Sequence, residues 1–130
     1  MKNRDIYISA LHLIGERADA IENEDYIERA PFILAAFCTE CAETDTAYRL
    51  EKGLAPREST SNVSLPIDSD FPCADRFVNA AASYLAAMLV IDENMELSDK
   101  LFDRYCDSMA TIQSELPAHI EKIAQRYGAL

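Results

Sequence analysis

Cys38-Thr39-Glu40-Cys41 is the stretch of this chain whose residue types and spacing most resemble working chemistry. C-x-x-C is the spacing that holds zinc or cycles a disulfide. A redox pair needs its first cysteine at a helix N-terminus, where free amides and the helix dipole favour the thiolate. Here the sequence from Asp25 onward reads as one helical run, with several residues between Pro31 and Cys38. That places both cysteines well inside a helix, on the side of Leu34, Phe37 and Tyr48. A zinc site needs two further ligands. Cys73 and Cys106 stand singly, and His12 and His119 have no companion at ligand spacing. The expectation is core packing, because a free cysteine behaves as a small hydrophobe. No catalytic residue, metal ligand or cofactor is assigned, and the chain is not expected to be an enzyme.

Acidic neighbours such as Glu24–Asp25, Asp68–Asp70 and Asp92–Glu93 fall in turn-forming stretches. A carboxylate used as acid or base needs burial or a charged neighbour to tune it, and these positions predict solvation instead. His12 lies on the polar side of its helix. No phosphate-cradling glycine loop, nucleophile elbow or H-E-x-x-H occurs.

The elements around these residues read as helices. The 130 residues predict a single domain with 3 Gly, 5 Pro and 49% hydrophobic residues. Ile6, Ala10, Leu13, Ile14 and Ile21 recur at helical spacing over residues 5–21. A second run covers 25–52, opened by Asp25 and Glu28 in a capping-box arrangement, with Pro31 early in it and Gly53 as its stop. Residues 73–92 form the most apolar segment, lined by Phe77, Ala81, Tyr84, Leu85 and Met88. Its alanines permit close approach of backbones, which suits a central helix. The last run, 97–127, carries Leu97, Leu101, Tyr105, Met109, Ile112 and Leu116, and Pro117 should kink or split it. Between the second and third main helices, residues 53–71 hold prolines and serines without helical period. Val63, Leu65 and Ile67 alternate there with Ser64 and Pro66, as a short extended edge segment would. The predicted fold is all-α: a bundle of four to five helices with one irregular insert, and with 117–130 as a C-terminal helical extension.

The net charge of −11 disfavours a surface that grips nucleic-acid phosphates. No run of about 18 apolar residues offers a membrane span. Asp5, His12, Glu16 and Arg17 interrupt what could otherwise be a secretory leader, so synthesis in the cytoplasm is expected.

The order of features is similar to a known family. "ALHLIGE", then "EDYIERAPFILAAFCTEC" and "AYRLEKGL", resemble the N-terminal half of the small head–tail connector (neck or adaptor) proteins of long-tailed phages and prophages. "VSLPIDSDFPCADRFVNAAASYLAAMLVIDEN" and "ELSDKLFDRYCDSM" resemble their extended segment, alanine-rich helix, acidic turn and closing helix. The resemblance runs to about Leu116. It implies a structural virion protein that meets the portal protein and a tail-completion protein. It also implies self-assembly into a ring of roughly twelve copies closed by rotation. DNA would pass through the ring without specific binding, and the acidic surface would let it slide. The chain would then be found in the virion, and in the host cytoplasm during assembly. Val63, Leu65, Ile67, Asp68, Asp70, Phe71, Tyr84 and Tyr127 are the candidate subunit or partner contacts. The rival reading is an acidic helical binding regulator, a DNA mimic or an inhibitor of a host protein. Its acids, however, are dispersed and interleaved with bases.

Overall fold

The computed structural model describes residues 1–15, 23–57 and 62–116. Five α-helices form among them: α1 (Asn3–Leu13), α2 (Glu24–Glu40), α3 (Ala42–Lys52), α4 (Val78–Val90) and α5 (Met95–Ser114). A single 3-10 turn, Asp75–Phe77, leads into α4. The all-α bundle expected from the apolar stripes is what the chain forms. The helical readings at 16–21 and 117–127, with His119 and Tyr127, lie outside the described residues.

α4 is the centre. It packs against α5, α1 and α2, and Ala80–Ala87, Leu89 and Val90 are all buried. Alanine has the best helix propensity and the smallest side chain that still buries apolar surface, so three helices can approach one axis. Around α4, Phe37 anchors an aromatic cluster with Phe71, Tyr84 and Tyr105 at centroid separations of 6.2, 5.8 and 6.0 Å. Such offset and tilted pairs add modestly to the burial of each ring. Ser98 reaches back from α5 and donates to the Ala87 carbonyl at 2.8 Å, which satisfies its buried hydroxyl.

The helix ends follow local chemistry. Asn23 accepts from the Tyr26 amide and Asn94 from the Leu97 amide, each filling an orphan donor of a first turn. The α2 start is therefore capped by Asn23, two residues ahead of the Asp25 that opens the box the sequence suggests. Gly53, at φ +68°, closes α3 in the left-handed conformation that side chains resist.

Two expectations need correction. The run 25–52 is two helices, because the chain turns at Cys41 (φ −91°, ψ 4°) and α3 starts afresh at Ala42. Pro31, for which the sequence leaves open a first turn or the interior of a longer helix, lies in the interior of α2. The second correction concerns residues 63–67, which adopt bends and turns instead of an extended edge. The ladder-like contact in this region is one antiparallel bridge between Lys2 and Asp70.

The described part of the insert is anchored along its length. The Leu65 amide donates to the Pro31 carbonyl at 3.0 Å, and the Phe71 amide to the Met1 carbonyl at 2.8 Å. The side-chain amide of buried Asn3 donates to the Pro66 carbonyl at 2.9 Å and to Ser69 Oγ at 3.1 Å.

Candidate functional site

Two places combine chemistry with unusual surroundings. The first is the corner where α2 ends and α3 begins. α3 leaves that corner on a course that carries Asp45 inward until its side chain is fully buried. There Asp45 Oδ1 accepts from the Ala74 amide at 2.9 Å, and Oδ2 accepts from Arg49 Nε at 3.1 Å. The Arg57 guanidinium stands 3.8 Å from the same carboxylate. Arg49 also donates to the Pro72 carbonyl at 2.9 Å, so one buried ion pair fastens α3 to the segment that starts α4.

The thiols meet beside this network. Cys41 Sγ lies 3.3 Å from Cys73 Sγ, and both are buried with Cys38. Arg57 Nη1 donates to Cys73 Sγ and to the Cys38 carbonyl, each at 3.2 Å. Hydrogen bonds from Cys38 and Cys41, together with the Arg57 guanidinium, hold the Cys73 thiol well below the ordinary thiol range. Donating those hydrogen bonds, and burial, push Cys38 and Cys41 above it. The reading of Cys73 as a single cysteine is thus corrected. So is the reading of Cys41 as a residue deep within a helix, since it sits at the corner. Spacing along the chain could not reveal a partner 32 residues away. Among the described residues no group of three or more His, Cys, Asp or Glu side chains is arranged to hold a metal ion. Arg57 presents a positive charge where a metal cation would have to bind. Cys106 is separate and exposed.

The second place is an open groove of about 740 Å³ between α2 and α4. α2 contributes Asp25, Glu28, Arg29, Phe32, Ile33 and Ala36, and the α4 side contributes Tyr84, Met88, Ile91 and Asp92. Phe32 is 54% exposed and Ile91 42%. Arg29 crosses the groove to donate to the Met88 and Leu89 carbonyls at 2.9 and 3.0 Å, where the end of α4 leaves acceptors open. A smaller depression shares Phe32 and Ala36 and continues past Thr39 to Asn62 and Val63, which is 79% exposed. Tyr84 extends the apolar surface the other way. It packs on Tyr105 at 5.0 Å, and Tyr105 packs on partly exposed Phe102 at 5.4 Å. Burial pushes the Tyr105 phenol up to about 12.

The candidate contacts named from the sequence divide accordingly. Val63 and Tyr84 border the groove surface. Leu65 and Phe71 belong to the chain's own core, and Ile67 is packed against that core. Asp68 and Asp70 are exposed and pair with Arg4 at 2.8 Å and Lys2 at 2.9 Å, hydrogen bonds that lower both carboxyls. The structure adds Phe32 and Ile91, which the apolar stripes of α2 and α4 do not single out. No helix among the described residues is long and apolar enough to cross a membrane. In comparison with known proteins, no family model, curated protein or solved structure matches this chain.

Proposed function

We propose that this chain is a structural assembly protein, a head–tail connector that joins copies of itself beneath a portal and carries out no catalysis. The observation behind this reading is the open groove, which presents Phe32 and Ile91 to solvent within a border of Asp25, Glu28, Arg29 and Asp92, and the adjoining depression, which shares Phe32 and presents Val63. Contiguous apolar patches of this kind mark association surfaces. On this reading the occupant of the groove is a second copy of the chain, because the resemblance to connector proteins implies a ring, in which each copy's surface meets the next. The whole-chain similarity in feature order to connector proteins supports the same reading, as does a charge of −11 suited to a lumen that DNA slides through.

The test is to mix the chain at micromolar concentration with the cognate portal ring and image the product by electron microscopy. An added layer of density on the portal is expected. A portal left bare overturns the proposal.

One observation favours the rival reading of an acidic regulator. Asp99, Asp103 and Asp107 recur every fourth residue along the exposed side of α5, about 6 Å apart. A pull-down that recovers a nuclease or repressor and no virion protein would select that reading.

A further inference from the structure

The thiol corner plays no part in assembly through the groove, and its arrangement exceeds what packing alone requires. Three buried cysteines lie around one guanidinium, which touches a single sulfur: Cys41 Sγ lies 3.3 Å from Cys73 Sγ, and Arg57 Nη1 lies 3.2 Å from Cys73 Sγ. An apolar core of cysteines needs no arginine. Arg57 nevertheless brings its charge to this point with only 14% of its side chain exposed. Its other contacts are the Cys38 carbonyl and Asp45.

The geometry points to a redox modification site, in which a small hydroperoxide converts Cys41 and Cys73 into a reversible disulfide and Arg57 stabilises the attacking Cys73 thiolate. Cys73 is the nucleophile because its sulfur is the one the guanidinium touches, and an adjacent cation favours thiolate over thiol. The thiolate attacks the peroxide O–O bond. That bond breaks, Cys73 becomes a sulfenic acid, and the released alkoxide takes a proton from the medium. The sulfur of Cys41 then attacks the Cys73 sulfur, the S–O bond breaks, and hydroxide leaves as water with the Cys41 proton. Two thiols supply two electrons, and the peroxide is reduced to alcohol and water.

Cys41 is the resolving partner on two grounds. Its sulfur has to move only about 1.3 Å closer to reach disulfide bonding distance. It also occupies the corner between α2 and α3, whereas Cys38 lies inside α2. The pair to watch is therefore not the C-x-x-C. The bond would tie the end of α2 to the segment that starts α4, alongside the Asp45–Ala74 contact.

The test uses the full chain with its native cysteines. It is treated with hydrogen peroxide at neutral pH, alkylated, and digested after glutamate, a cut at Glu40 that separates Cys38 from Cys41. Mass spectrometry is expected to find the Cys41 peptide joined to the Cys73 peptide, with the link erased by dithiothreitol. In Arg57→Gln the same link should form roughly tenfold more slowly, and Arg57→Lys should recover part of the rate. A link through Cys38 or Cys106 overturns the proposal. So does oxidation of Cys73 beyond sulfenic acid without a link, or a folded chain whose thiols survive peroxide that oxidises the unfolded chain. An Arg57→Gln rate equal to that of the native chain removes the role given to the guanidinium.

Discussion

The corner around Asp45 and the groove beneath Phe32 have opposite relations to water. At the corner a carboxylate is wholly buried, and each of its oxygens accepts a short hydrogen bond from the chain itself. Along the groove, apolar side chains face solvent, and no other part of the described chain covers them. The first arrangement is complete within one copy. A buried charge is tolerable only with its partners in place, so Arg49 and the Ala74 amide account for Asp45. The second is unfinished. Phe32 and Ile91 face water in a lone copy, and on the proposed reading a second copy covers them. On the proposed reading stability and association reside in different parts of the molecule, and substitutions should separate them.

The largest effect is expected at the corner. Asp45→Ala leaves Arg49 and the Ala74 amide without their acceptor and should cost about 3–5 kcal/mol, read from the urea midpoint. Asp45→Asn keeps an oxygen for the Ala74 amide and should lose less. A midpoint unchanged in Asp45→Ala would mean that the corner is not what fastens α3 to the start of α4.

A smaller loss is expected at Asn3. Asn3→Ala removes the bonds to Pro66 and Ser69 and should cost about 1–3 kcal/mol. One carboxamide oxygen, Oδ1, is buried without a hydrogen-bond partner, which offsets part of what the side chain contributes. Denaturant titration beside the Asp45 variants would rank the corner against this anchor of the insert.

The pH dependence on the alkaline side follows from Tyr105. Its folded pKa, about 12, lies above the ordinary tyrosine value near 10. A raised pKa means stabilisation that is fully present below pH 10 and lost as pH rises through 12. Absorbance at 295 nm should show this late tyrosine ionising above the ordinary range in the folded chain and near pH 10 in guanidinium chloride. Coincident titration of all tyrosines in the folded chain would contradict the burial of Tyr105.

The surface pairs should matter least. Arg4→Ala and Lys2→Ala remove the pairs to Asp68 and Asp70, which are exposed and screened. The urea midpoint should stay within measurement error, because Asn3 and the backbone bonds hold the same segment. A clear shift would show that these ion pairs anchor the insert.

Much of the fold could be read from the sequence. The apolar stripes marked α1, α2, α4 and α5, and the alanines marked α4 as central, because a narrow helix that is apolar on several sides has to be surrounded. The turn at Cys41 was hidden. Residues 40–45 contain no glycine or proline, and the bend serves Asp45, whose partner at Ala74 is remote in sequence. The thiol cluster was hidden for the same reason, since Cys73 and Arg57 come from irregular stretches without periodicity. The groove was half visible. The sequence singles out Tyr84 and Val63, but an apolar residue on a second face, such as Phe32, looks the same whether another helix or water lies against it.

The most direct test of assembly through the groove is a count of portal-bound copies by electron microscopy for Phe32→Glu combined with Ile91→Glu. Its urea midpoint serves as the control for folding. The variant is expected to keep the native midpoint and to leave the portal without the added layer. A full layer formed by this variant would contradict assembly through the groove.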